Sequence, residues 1–140
     1  MTACPFCAVG GGEIDADLVA YRSPGVFVIP TLKQRIRNRG HMLVLPVGHL
    51  TSLPEASPAL LGEIFQVAGR VGAALATAFG ACGTTMFQND NSPDQVLFHL
   101  HVHVVPRFPG DAFVMPDPSG VVLPRAERAE QAAALMQALR

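Results

Sequence analysis

The sequence predicts an α+β fold: an antiparallel sheet of about five strands, one long central helix and a C-terminal helix. Three observations predict it. Short apolar runs bounded by Pro, Gly, Asn and Ser read as strands. One stretch, Pro58 to Gly80, keeps apolar residues at helical spacing. Helices and strands are segregated along the chain rather than alternating, which argues against a parallel βαβ sheet.

The elements follow in order. Residues 17–21 and 26–29 are apolar runs around Ser23-Pro24-Gly25, the pattern of a hairpin. Met42 to Leu45 is a further strand, stopped by Pro46. Pro58 fits the first turn of the long helix, because its missing N–H is not needed there. Leu61, Ile64, Phe65, Ala68, Val71, Leu75, Ala78 and Phe79 form the inner stripe. Thr84 to Gln88 is a strand, Asn89 to Asp94 a polar turn, and Phe98 to Val105 a strand ended by Pro106. Pro109 to Leu123 reads as a structured loop. Arg125 to Arg140 is a second helix with Ala129, Ala132, Met136 and Leu139 facing inward.

A chain of 140 residues fits one domain, residues 1–140. It is 49% hydrophobic and only 15% charged, so part of its apolar surface is expected against a second copy in a homodimer. A net charge of −1 excludes a polyelectrolyte binder, so no nucleic-acid partner is expected. Leu60 to Phe79 is interrupted by Glu63, Gln66 and Arg70, so no membrane partner is expected either. The first ten residues lack the basic region of a secretory signal, and the expected setting is the cytoplasm. Three cysteines, an odd number, suit a reducing compartment better than a disulfide framework. Cys82 reads as a small buried hydrophobe. Cys4 and Cys7 are spaced so that two thiolates can meet one metal ion from a tight turn.

All five histidines fall in two short segments. His99, His101 and His103 alternate with Leu100, Val102 and Val104, so on a strand the imidazoles share one face and the aliphatics the other. Such a row is costly unless used, since the rings repel one another when protonated. At this level it fits either a solvated strand with incidental histidines or a three-histidine zinc site.

His99-Leu-His-Val-His-Val-Val105 closely resembles the signature of the histidine triad (HIT) family, in which three histidines alternate with apolar residues. The resemblance extends to Asn89, Gln95 and Pro106-Arg107, and to Gly40-His-Met-Leu-Val-Leu-Pro-Val-Gly-His49. It implies a single HIT domain and a hydrolase or transferase acting on phosphoanhydride or phosphoramidate bonds of a nucleotide. It implies that His101 attacks phosphorus and forms a covalent nucleotidyl-imidazole, with its other ring nitrogen held by an acceptor, here a backbone carbonyl. His103 would donate to a non-bridging oxygen, and Gln95 to the same group. Asn89, Gln95 and His103 would bind substrate. A third histidine, rather than glutamine, places the chain with the hydrolases of the family rather than its uridylyltransferases. Zinc-bearing relatives imply a structural zinc on Cys4, Cys7, His49 and His99, with His41 a structural partner of the site. A non-catalytic nucleotide- or metal-binding module, and the three-histidine zinc hydrolase, are the alternatives.

Two departures from that pattern stand out. Asp94 and Val96 flank Gln95 where many members carry Gly and a Ser or Thr whose hydroxyl serves the leaving group. No carboxylate lies between Ile29 and His41, where members often carry a ribose-gripping aspartate. Lys33, Arg35, Arg37 and Arg39 occupy every second position instead. If extended, they form one cationic face: either a solvated edge or a phosphate-binding row.

Overall fold

A computed structural model describes residues 4–115 and 124–138. The elements are α1 (Pro5–Gly10), β1 (Tyr21–Arg22), β2 (Val26–Pro30), β3 (Met42–Pro46), α2 (Pro58–Phe79), β4 (Gly83–Phe87), β5 (Val102–Arg107) and α3 (Arg125–Ala138). Short 3₁₀ turns cover Ala16–Leu18 and Leu53–Glu55. The sheet has five strands in the order β1-β2-β3-β5-β4, antiparallel throughout.

The sheet is covered on both faces over its centre. Val26, Val28, Val44, Val102 and Val104 pack against Ile64, Val67, Ala68 and Leu75 of α2. The alternate residues Phe27, Ile29, Leu43 and Leu45 cluster with Val9 of α1, with Phe6 and Val19 at the edge. Two-sided burial is why β2 and β3 read as continuous apolar runs. Because cross-strand partners share a face, the pairing of His103 with Leu43 places the histidine row on the α1 side, opposite α2.

α2 begins where Ser57 accepts the Leu60 N–H at 3.2 Å and Pro58 takes the first turn. It ends at Gly80 with φ +72°. By length and apolar content it could cross a membrane, but Ile64, Val67, Ala68 and Leu75 lie buried on the sheet. Phe65 and Phe79, expected in its inner stripe, are about half exposed. The buried stripe is narrower than expected: Val67 is buried where Phe65 is not, and Ala78 is exposed as well.

Other expectations are corrected in detail. Of residues 17–21, the first two end a 3₁₀ turn, and the strand is only Tyr21–Arg22; the hairpin itself forms, closed by Ser23 N–H to the Val26 carbonyl at 2.8 Å. β5 starts at Val102, not Phe98, and runs through Pro106. Continuing the β3–β5 register would set Leu100 opposite Pro46, which has no N–H to give; Leu100 N–H goes to the Leu50 carbonyl instead. Pro106 is tolerated because β3 pairs no further than Val104, and its carbonyl accepts from Asn38 Nδ2 at 2.9 Å. Cys82 is exposed, at the open edge by β4, with Sγ 3.2 Å from the Arg107 carbonyl. Ala129 and Met136 of α3 are exposed rather than inward; a helix of mostly alanine and charge offers little apolar area to bury. Leu139, the Ala132 side chain and the loop from 116 to 123 lie outside the described residues.

Candidate active site and metal centre

The two histidine segments meet where β3 and β5 pair. His41 precedes β3, and Gly40 before it has φ +105°; a Cβ there would come within 2.8 Å of the Phe79 ring, so only glycine lets the chain turn into β3. His99, His101 and His103 lead into β5, with Leu100, Val102 and Val104 buried in the α2-side core as the alternation predicts. The alternation thus holds through residues 99–101, although they are not part of the ladder.

His101 is buried, with Nδ1 2.7 Å from the His99 carbonyl oxygen. A carbonyl only accepts, so Nδ1 carries the proton and Nε2 keeps its lone pair. Phe6 packs edge-on against His99 and His101 at ring separations of 5.8 and 5.7 Å. This fixes the ring in the tautomer an imidazole nucleophile needs.

His103 lies beside it, ring centroids 4.9 Å apart. It stacks on Phe87, its cross-strand partner, at 4.2 Å and 11°. Its Nδ1 is 2.9 Å from His41 Nε2. His41 Nδ1 is buried with no partner among the described residues. An orphaned lone pair costs less than an orphaned N–H, so His41 Nε2–H is the donor and Nδ1 is bare. His103 Nδ1 therefore accepts, which leaves His103 Nε2–H as a donor for substrate. His41 is thus a positioning partner of His103.

Burial lowers both rings, His103 to about 3 and His41 to about 4; the neighbouring His101 and Arg35 add to the effect on each. The pair is expected to stay neutral at pH 5, read as imidazole nitrogen shifts by NMR. An unfolded chain protonates these rings near pH 6.5, so it binds more protons than the folded one below that. Their contribution to stability is complete above about pH 6.5 and declines as pH falls toward 4 and 3. An imidazolium signal from either ring in the folded protein at pH 5 would contradict the assignment.

Gln95 is not on the strand. It sits after the turn at residues 92–94, buried, with Oε1 accepting the Asn91 N–H at 2.7 Å and Nε2 donating to the Thr51 carbonyl at 2.9 Å. It braces the loop before the histidines and has one amide hydrogen left. Asn89, half-buried at the end of β4, lends its carbonyl to Gln88 Nε2 at 2.9 Å.

On the far side of His99 lies a second cluster. Cys4 caps α1 and Cys7 lies in its first turns, so the pair sits on a short helix rather than a bare turn; the sheet being antiparallel, no βαβ redox context surrounds it. Donor atoms of Cys4, Cys7, His49 and His99 all lie within 4.8 Å of one another. His99 Nδ1 is 3.4 Å from Cys4 Sγ, and His49 Nδ1 is 3.3 Å from Cys7 Sγ. His99 Nε2–H donates to the Pro46 carbonyl at 2.9 Å, which turns the Nδ1 lone pair toward the thiols. Burial pushes His99 below its usual value, against the Pro46 bond, which raises it. Burial, then the adjacent Cys4 thiol, push the Cys7 thiol up. Two thiols and two imidazoles whose donor atoms converge on one point make a Cys₂His₂ set that fits zinc. The donor set is closed, so a zinc there would supply bracing, holding α1, the segment after β3 and the start of the histidine row together.

The cationic row does not form. Residues 31–41 make a turn-bearing loop, in which Lys33, Arg37 and Arg39 are exposed and Arg35 is half-buried. The loop closes on itself, with Gly40 N–H to Gln34 Oε1 at 2.9 Å and Thr31 N–H to the His41 carbonyl at 3.0 Å. Buried Asn38 donates to Asp111 at 2.8 Å, and Asp111 pairs with Arg107 at 2.7 Å. Those side-chain bonds hold Asp111 below the usual carboxylate range. Sequence reading missed this clamp, along with Phe6 and Phe87. The Arg107–Asp111 spacing was the one signal available; nothing local marks an asparagine amid arginines as buried.

The comparisons agree with this geometry. The HIT domain family model matches residues 12–110. A HIT-like protein of Mycobacterium tuberculosis is 35% identical over 109 residues, 77% of this chain and 74% of that one. An adenylylsulfatase of Arabidopsis thaliana is 28% identical over 105 residues, 74% of this chain and 52% of that one. Among solved structures, SMU.412c from Streptococcus mutans superposes with a TM-score of 0.82 at 29% identity, covering 98% of this chain and 85% of that one. A zinc-bound histidine triad family protein from Mycobacterium smegmatis superposes with a TM-score of 0.73 at 29% identity, covering 99% and 98%. With its family model, its fold and its triad of histidines in agreement, the chain belongs to the HIT family.

Proposed function

We propose that this protein hydrolyses, or transfers a group from, a nucleotide phosphoanhydride or phosphoramidate through a covalent intermediate on His101. The observation that carries the reading is the bond from His101 Nδ1 to the His99 carbonyl, which leaves Nε2 as a lone-pair nucleophile. Nε2 attacks phosphorus in line; the Nε2–P bond forms as the bond to the leaving group breaks, and the leaving group takes that electron pair. Water or another acceptor then attacks the phosphorus, loses its proton, and returns the pair to Nε2. His103 Nε2–H donates to a non-bridging oxygen as charge builds there. Gln95, with Asn89, shapes the loop on the substrate side. The adenylylsulfatase relative supports a nucleotide substrate.

Early-quenched mass spectrometry is expected to show a nucleotidyl adduct on His101. An adduct on another residue, or turnover without any adduct at substrate saturation, would overturn this reading.

A zinc on Cys4, Cys7, His49 and His99 completes the proposal, supported by the zinc-bound relative and the gathered donors. A reducing compartment, the cytoplasm, suits two thiols kept free for metal. We also place the protein in a homodimer. Phe65, Phe79 and Met86 expose apolar area on α2 and on β4, an open sheet edge. Sedimentation at micromolar concentration is expected to give twice the 14.8 kDa chain mass; a single species at chain mass contradicts the dimer.

A further inference from the structure

Cys4 and Cys7 stand three positions apart at the start of α1, so their side chains are neighbours on one turn. Their sulfurs lie within 4.8 Å of each other. Both thiols are free and both residues are only half-buried, so a small oxidant in the solvent reaches them. Two accessible thiols, each able to resolve the other, is the arrangement of redox-sensing cysteines. A small shift of the helix start is enough to close a disulfide between them.

The same thiols touch the groups that hold His101. His99 Nδ1 lies 3.4 Å from Cys4 Sγ and 3.6 Å from Cys7 Sγ. The backbone carbonyl of His99 is the acceptor that fixes His101 Nδ1–H, at 2.7 Å. Phe6 stands between the two cysteines in the chain, and its ring packs edge-on against His99 at 5.8 Å and His101 at 5.7 Å. Drawing Cys4 and Cys7 together therefore moves Phe6, which is part of the short link between them. With the thiols withdrawn from Nδ1, the His99 ring keeps one anchor, the Pro46 carbonyl at 2.9 Å, and is free to turn about it.

The chemistry balances with a peroxide as oxidant. One sulfur attacks a peroxide oxygen: the S–O bond forms, the O–O bond breaks, and the hydroxide that leaves takes up a proton as water. The second sulfur then attacks the first: the S–S bond forms, the S–O bond breaks, and a second water leaves. The thiol pair gives up two electrons and one peroxide accepts them. A zinc on the four donors keeps its charge but loses both sulfurs, and His49 and His99 alone make an incomplete site.

We propose that Cys4 and Cys7 are a reversible redox switch on His101: a peroxide closes them into a disulfide, releases the metal, and slackens the Phe6 and His99 contacts that hold the nucleophile. The effect on turnover rests on the His101 reading above; the disulfide, the metal release and the state of the His101 ring are read without it. In a reducing compartment, small thiols and dithiols reopen the bond by exchange, so the switch resets.

The test uses the full chain carrying Cys82→Ser, in which Cys4 and Cys7 are the remaining cysteines. It is loaded with zinc, treated with hydrogen peroxide, then returned to a dithiol reductant with zinc. Peptide mapping is expected to find a Cys4–Cys7 disulfide, and a colorimetric chelator to find zinc released in proportion to it. Imidazole nitrogen NMR should show the His101 signal moved, while far-UV circular dichroism keeps the sheet. Formation of adenylyl-His101 from diadenosine tetraphosphate or adenosine 5′-phosphoramidate is expected to slow at least about tenfold, the scale of a displaced reacting group. The reductant with zinc should restore every readout. A disulfide that leaves the His101 signal in place, sulfinic acid instead of a disulfide, loss of the sheet, or oxidation that the reductant does not undo overturns the switch. So does zinc absent from the reduced protein or retained by the oxidised one. No adduct in the reduced protein with either substrate sinks the covalent reading instead, and the disulfide, zinc and NMR readouts still decide the switch.

Discussion

His101→Ala is expected to lower kcat by about 10⁴-fold or more, the scale of losing a covalent nucleophile. The expectation follows from how singular the position is. His101 is the imidazole whose Nδ1 is tied to a backbone carbonyl, and its Nε2 meets no hydrogen-bond partner among the described residues. His99 has both nitrogens committed, to Pro46 and toward the thiols. His103 accepts at Nδ1 from His41 and carries its proton on the other nitrogen. Neither can substitute as a neutral nucleophile without breaking a contact that holds it. The variant should also keep its fold, since the side chain contributes one hydrogen bond and an edge contact to Phe6. Single-turnover kinetics read the difference. A loss of only about tenfold would mean that water attacks phosphorus directly and that His101 merely assists.

Much of this was legible in the sequence because the determinants are local. Alternation along residues 99–104 sorts imidazole from aliphatic, and that sorting survives even where Pro46 ends the ladder early. Pro58 and Gly80 bracket α2 in the sequence as they do in the structure. The Cys4–Cys7 spacing implies a metal pair whether the two thiols sit on a turn or, as found, on a helix start.

The illegible parts depend on long-range partners. Spacing presents residues 33–39 as a regular cationic strand, yet Asn38 is drawn into the interior by Pro106 and Asp111, more than sixty residues away. That bond breaks the alternation and leaves Arg35 on Phe113. Gln95 reads as a donor near the start of the histidine strand, because nothing nearby reveals that its amide is satisfied by Asn91 and Thr51. Phe87 enters the site only through its register opposite His103. Cys82 follows a helix and precedes an apolar run, and only the position of β4 at the sheet edge leaves it exposed.

Cys4→Ser is expected to lose bound zinc and a large share of stability together, whereas His101→Ala keeps its metal. Cys4 and Cys7 stand on α1, His49 follows β3, and His99 precedes β5. In the folded chain these points come within 4.8 Å; in an unfolded chain they are spread over ninety-five positions. A metal that binds only the gathered set stabilises the fold by its binding free energy. Removing one thiolate leaves a three-donor site and uncovers the cluster of Val9, Phe27 and Leu45 that α1 helps to close. A loss of about 3 kcal/mol or more is expected, seen as a drop of roughly 10 °C in Tm. The carbonyl that orients His101 belongs to His99, whose ring is one of the four gathered donors, so activity should fall as well, but by less than in His101→Ala. Chelation of wild type should reproduce the Cys4→Ser melting curve. The opposite metal pattern, Cys4→Ser full and His101→Ala empty, would assign the metal to the histidine row and make it catalytic. Equal metal content and equal Tm in wild type and Cys4→Ser would remove zinc from the account of this fold.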